Sequence, residues 1–220
     1  MRWLWAFLLA FTSLQSREKK TLEHLVYEIR DPATDRKPFR KALEKIGEYI
    51  ALDIKSELVQ KTHQIETLTG EAAVHEFSDE APVLVTILRA GLPLCYGAQK
   101  VFPSSEVGFI AMSRNEETLI ADVSYIALPD VRDRSVIIVD TMIATAGSLL
   151  NAVKILEERQ AKQIIILGAI AAQYGMDQIA AYNPNIKVFV ATVDPLLNDK
   201  GYIVPGLGDA GDRCFGPKVQ

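Results

Sequence analysis

The sequence predicts an α/β fold. A mostly parallel central sheet is flanked by helices, preceded by N-terminal helices and interrupted by a small hood or hairpin excursion. Three observations carry this. Short apolar runs at Pro82–Leu88, Ser135–Asp140 and Gln163–Ile170 are rich in Val, Ile and Leu and read as strands buried on both faces. Amphipathic stretches separate them, as crossovers between parallel strands require. Small, hydroxyl and charged residues follow the runs directly, and in such sheets ligands bind beyond the carboxyl ends of the strands.

The elements follow in order. Leu22, Leu25, Val26 and Ile29 mark a helix that Asp31-Pro32 ends. Pro38 suits a first helical turn, and Phe39, Ala42, Leu43, Ile46, Ile50 and Ile54 form the stripe of a longer helix. Residues Gln64–Phe77 read as a small hairpin or an irregular excursion around Gly70. Strand Pro82–Leu88 turns through Arg89-Ala90-Gly91 into a helix over Leu92–Val101. Strands are expected at Val107–Met112, Val123–Ala127 and Ser135–Asp140, then a helix from Ser148 to about Gln160. Strands Gln163–Ile170 and Lys187–Thr192 enclose a helix near Met176–Tyr182.

Composition narrows the function. A chain of 220 residues fits one domain, taken as 21–220, after an apolar extension over 1–20. With 49% hydrophobic and 24% charged residues it is neither disordered nor fibrous. A net charge of −4 argues against broad nucleic-acid binding. Two cysteines, Cys95 and Cys214, indicate a reducing, cytoplasmic setting. His24, His63 and His75 are scattered, so no metal site built by the protein itself is expected. The run Met1–Phe11 is too short to span a bilayer, and no small-x-small cleavage site follows it. A docked helix, a membrane-surface anchor and a start placed too early all remain open for it, and no membrane partner is expected.

Four segments carry candidate chemistry. In Asp140-Thr141-Met142-Ile143-Ala144-Thr145-Ala146-Gly147-Ser148, a buried strand delivers a carboxylate to the sheet edge and a small-residue loop opens a helix. Backbone N–H groups there suit an anion, with Thr145 and Ser148 adding donors. An ordinary turn with Ser148 as N-cap fits equally. Arg89 follows a buried strand and suits bidentate phosphate contact, or a surface pair with a carboxylate. Arg114, in the polar run Ser113–Thr118, is a second phosphate candidate or part of a solvated loop. Gly201–Asp212 holds four glycines, which allow backbone to approach a small base such as uracil, or a flexible tail.

Together the segments TILRAGLPL, RNEET, DTMIATAGS and GYIVPGLGDAGD, in this order, resemble the uracil phosphoribosyltransferase family of the type I phosphoribosyltransferase fold. The resemblance runs from about Phe39 to Gly216. It implies conversion of uracil and 5-phosphoribosyl 1-diphosphate (PRPP) to UMP and diphosphate, with Mg²⁺ carried by PRPP. By the same resemblance, Arg89 and Arg114 contact the diphosphate, Asp140 holds the ribose hydroxyls, and the loop through Thr141, Met142, Ile143, Ala144, Thr145, Ala146, Gly147 and Ser148 cradles the 5′-phosphate. Ile203, Gly208 and Ala210 read uracil through backbone groups, and Asp209 stands between base and PRPP. Asp209 and Arg114 are the candidate catalytic residues. The resemblance also implies a homodimer or larger assembly and a possible GTP effector.

Two departures stand out. Thr141 replaces the Pro usual after the strand-end Asp, and Ala146 replaces a Gly of the phosphate loop. If position 146 needs φ > 0, an Ala there costs on the order of 1 kcal/mol, which predicts weakened PRPP binding with catalysis retained. Rival readings are a transferase for another base, a sensor of PRPP or nucleotide that contacts RNA through Arg36, Lys37, Arg40, Lys41 and Lys45, and a catalytically silent homologue.

Overall fold

The computed structural model describes residues 20–114 and 121–218, so the Met1–Phe11 run lies outside the described residues. Helix α1 covers 20–30 and is followed by α2 (Arg36–Glu57). Next come the ribbon β1 (Lys61–Glu66) and β2 (Ala72–Phe77), then β3 (Val83–Leu88), α3 (Leu92–Val101), β4 (Val107–Arg114) and β5 (Ala121–Ala127). After these lie β6 (Ser135–Ile143), α4 (Gly147–Glu158), β7 (Gln163–Ala172), α5 (Gln173–Tyr182) and β8 (Lys187–Asp194). Short strands β9 (Leu196–Leu197) and β10 (Ile203–Val204) precede α6 (Ala210–Phe215).

The main sheet has the order β5-β4-β3-β6-β7-β8. All neighbours are parallel except β4 and β5. The predicted fold class is therefore the observed one. Side-chain alternation sorts the two faces. Leu84, Ile137, Val139, Ile165 and Leu167 pack with α1, α2, α3 and α6. Val83, Val85, Val136, Ile138, Ile164 and Ile166 pack with α4 and α5. Strands covered on both faces explain why their runs are apolar without alternation.

The β1–β2 ribbon is the predicted excursion around Gly70, whose φ is +81°. It is almost wholly solvated, with Ile65, Leu68 and Val74 exposed, and His63 stacks on Phe77 at 3.8 Å. Several expected boundaries shift. Strands β6 and β7 extend beyond Asp140 and Ile170, α5 starts at Gln173, and α4 starts at Gly147 rather than behind a Ser148 cap. Helix α6 falls where a loop was expected. Asp209 caps it, accepting the Asp212 N–H at 2.9 Å.

Candidate active site

A cavity of about 790 Å³ opens beyond the carboxyl ends of β3 and β6. Along β6 and the turn after it, Asp140, Met142 and Ala144 line the cavity, while Thr141 and Ile143 are buried. The period of two thus buries two residues of the predicted cradle, Thr141 and Ile143, and leaves the other six on the cavity wall. Thr145, Ala146, Gly147 and Ser148 complete the turn along the cavity wall. Helix α4 begins here, with Leu150 N–H bonded to the Ala146 carbonyl at 2.8 Å and no acidic residue in its first turn. The N–H groups of that turn have no partner inside the helix, and its dipole favours an anion.

Part of Asp140 opens on the cavity, yet burial pushes its pKa from 3.8 up to about 7, against backbone hydrogen bonds from Met142 and Thr141 that pull it down. Thr141 explains its own departure from Pro. Its N–H serves Asp140, and its hydroxyl donates to the Ala90 carbonyl at 2.7 Å. Proline offers neither donor. That second bond ties the turn after β3 to the end of β6.

Ala146 has φ +62° and ψ 1°, the left-handed conformation on which the expected penalty depends. Its side chain is buried in the cluster that holds Ile143 and Leu149. This strain is present without ligand, so Ala146→Gly is expected to stabilise the fold by ~1 kcal/mol, and to lower KM for PRPP only by letting phosphate approach the loop amides more closely. Steady-state titration of PRPP checks this, and an unchanged or higher KM refutes it.

The arginines behave differently from the cavity residues. Arg89 does not line the cavity; it pairs with Asp212 at 2.8 Å and reaches the Gly216 carbonyl at 3.4 Å. The alternative of a carboxylate pair thus describes Arg89 in this structure. Arg114 is the last residue of β4, paired with Ala121, and the adjoining loop 115–120 lies outside the described residues.

The C-terminal segment forms the opposite wall. Of the expected base readers, Ile203 and Asp209 line the cavity, whereas Gly208 and Ala210 do not. The Asn198 side chain accepts N–H bonds from Lys200 and Tyr202 at 3.0 and 2.9 Å and shapes the turn before β10. Asp199, Lys200 and Lys218 also line the cavity and were not foreseen, while Tyr202 falls in the Gly201–Asp212 segment already marked. The Asn-x-x-Gly turn signal of Asn198–Gly201 was available for Asp199 and Lys200, and Lys218 carries no local signal. Burial pushes the thiols of Cys95 and Cys214 up to about 12 and about 11, which leaves both unreactive.

Among the described residues, no cluster of three His, Cys, Asp or Glu is arranged to hold a metal. Asp140 and Asp209, on opposite walls of the cavity, each offer hard carboxylate oxygens. That donor set fits Mg²⁺, which is commonly held by one or two carboxylates together with substrate phosphates. No helix among the described residues is long and apolar enough to cross a membrane.

Comparison with known proteins agrees with this geometry. A family model described as uracil phosphoribosyltransferase matches residues 16–217, extending the resemblance back through α1. A uracil phosphoribosyltransferase of Shouchella clausii is 37% identical over 198 residues, 90% of this chain and 95% of that protein. One from Bacillus cereus is 38% identical over the same shares. The solved AQ2163 protein of Aquifex aeolicus superposes with a TM-score of 0.82 at 34% identity, covering 90% of this chain and 96% of that one. The solved TT1426 of Thermus thermophilus, at 12% identity and a TM-score of 0.51, shares the fold alone. The matched span contains the whole sheet and every cavity-lining residue except Lys218, and the chain belongs to the uracil phosphoribosyltransferase family.

Proposed function

We propose that this protein transfers the phosphoribosyl group of PRPP to uracil, giving UMP and diphosphate. One observation carries the reading. A single cavity brings together a strand-end carboxylate, an anion-receptive helix start and a glycine-rich backbone loop. Those are the three recognition elements a sugar phosphate and a small base need. In this reading Asp140 accepts hydrogen bonds from the ribose hydroxyls, and residues 144–148 take the 5′-phosphate on backbone N–H groups. Thr141 and Ile143 act from the buried side, holding the strand rather than touching the ligand. Ile203 offers backbone groups to the base edge from the cavity wall, whereas Gly208 and Ala210, off that wall in this structure, reach the base only when the loop shifts toward it.

The reaction forms a bond from N1 of uracil to C1 of the ribose while the C1–oxygen bond to diphosphate breaks. Positive charge grows on the sugar, and negative charge leaves with diphosphate. Catalysis is positioning and preorganised electrostatics, with no nucleophilic side chain required. Asp209 stands on the base side of the cavity and receives the N1 proton. Arg89 and Arg114 neutralise the diphosphate, which requires Arg89 to exchange Asp212 for the substrate. Mg²⁺ held with PRPP supplies further positive charge to the leaving group.

The domain proposed is 21–220, acting in the cytoplasm. A homo-oligomer is supported by the exposed apolar side chains of the β1–β2 ribbon. GTP as an effector follows from the family resemblance alone. The test is UMP formation by the purified protein from uracil, PRPP and Mg²⁺. Turnover that depends on both substrates is expected, with no comparable product from hypoxanthine or adenine. No turnover at saturating PRPP overturns the proposal.

A further inference from the structure

The loop assigned to the base is short of its own support. Its strands β9 and β10 have two residues each, and Gly206 and Gly208 take φ of +63° and +81°. Backbone groups that read a base must nevertheless be held still, because each misplaced donor or acceptor loses its hydrogen bond. The support comes from the far end of the chain.

Arg30, the last residue of α1, lays its guanidinium on Asp194, with contacts of 2.5 Å to Oδ1 and 2.9 Å to Oδ2. It also donates to the Gly206 carbonyl at 2.9 Å. Asp194 in turn accepts the Gly206 N–H at 2.9 Å. Both backbone polar groups of Gly206 are therefore fixed by one ion pair whose carboxylate side chain is only 5% exposed. Arg213 works beside it. It donates to the Leu207 carbonyl at 2.9 Å, to the Asp31 backbone carbonyl at 2.6 Å and to the Ile29 carbonyl, and stacks 4.1 Å over the Phe39 ring.

We propose that the Arg30–Asp194 pair, with Arg213, is a positioning device that holds the base-reading loop and sets the affinity for uracil rather than for PRPP. The inference rests on the uracil reading of that loop. None of these three side chains lines the cavity, so they act through the backbone of 206–207. The planar fork of arginine reaches a carboxylate and a carbonyl at once, which a lysine ammonium on a flexible stem does not reproduce.

The test uses the full chain with Arg30→Lys and the double variant Arg30→Met with Asp194→Leu. The double variant leaves no buried unpaired charge, so it folds while the clamp is lost. KM for uracil is expected to rise about tenfold in both, because binding must then order a loop that is no longer held, with KM for PRPP within about twofold. Amide hydrogen exchange is expected to quicken over 203–209 and stay unchanged over 140–148. An unchanged uracil KM, or an equal rise in both KM values, overturns the positioning role. If the native protein does not turn over uracil, the base assignment fails. The exchange arm then decides the clamp alone, and unchanged exchange over 203–209 overturns it.

Discussion

Asp140→Asn is expected to lower kcat/KM for PRPP by about two orders of magnitude, because two ribose hydroxyls lose a charged acceptor worth roughly 1.5 kcal/mol each. The effect is also expected to depend on pH. With its pKa near 7, Asp140 is largely protonated in the free enzyme below neutrality. The ionised form is the better acceptor, so kcat/KM for PRPP should rise through about pH 7, since this quantity reports the free enzyme. The Asn variant should lack that limb, and any limb common to both proteins belongs to the substrate. Stability should move in the opposite sense. A carboxyl whose folded pKa lies above its unfolded value stabilises the fold most below pH 4, and that contribution fades as pH climbs through 7. Thermal melts should therefore show the native protein losing stability relative to Asp140→Asn between about pH 4 and pH 7, with no further change above. Parallel pH–rate profiles for the two proteins would refute this role of Asp140.

The same residue shows what local sequence reveals. Asp140 ends a run of Val and Ile that has no other stable place than a central strand, so both strand and carboxylate were legible. The left-handed turn at Ala146 was legible as a condition, since a phosphate loop tightens where glycine is usual. Helix α6 was not, because six residues with a glycine among them are too few to show a period. Arg89 was placed correctly at the end of β3, but its partner Asp212 is 123 residues away. Arg30 and Asp194 are 164 residues apart, and nothing in either neighbourhood marks the other. Pairings of this kind are set by tertiary closure, which periodicity and turn chemistry do not encode. The antiparallel β5 was hidden for a related reason, since strand direction depends on the connection and not on the strand's own residues.

The glycines of the α2–α3 crossing were equally silent in the sequence, and they yield the largest stability effect expected here. A Cβ at Gly97 would lie 1.9 Å from the Glu44 carbonyl oxygen and 2.7 Å from the Glu48 nitrogen. One at Gly47 would lie 2.1 Å from the Leu94 carbonyl oxygen. Each glycine therefore admits the backbone of the opposite helix. Propensity alone favours Gly97→Ala by about 1 kcal/mol, since alanine is the better helix former. Packing opposes it more strongly. The obstacles are backbone atoms, which no rotamer change moves, so α3 must separate from α2. That separation strains the contacts of Leu43, Ile46, Leu94 and Ala98, all fully buried, and the Lys100–Glu44 pair at 2.6 Å. Overpacking of this kind costs about 3 kcal/mol, which outweighs the propensity gain. For a domain of this size the net loss lowers Tm by roughly 4–8 °C. A raised or unchanged Tm would mean that the helices cross farther apart than these distances state. The consequence reaches the active site, because α3 starts directly after the Arg89–Gly91 turn, and a Cβ at Gly91 would already meet the Val139 carbonyl oxygen at 2.6 Å. A displaced α3 has no room to carry that turn inward, so Gly97→Ala should weaken PRPP binding as well as the fold. At temperatures where the variant remains folded, KM for PRPP should rise while the loop held by Arg30 and Asp194 keeps KM for uracil unchanged.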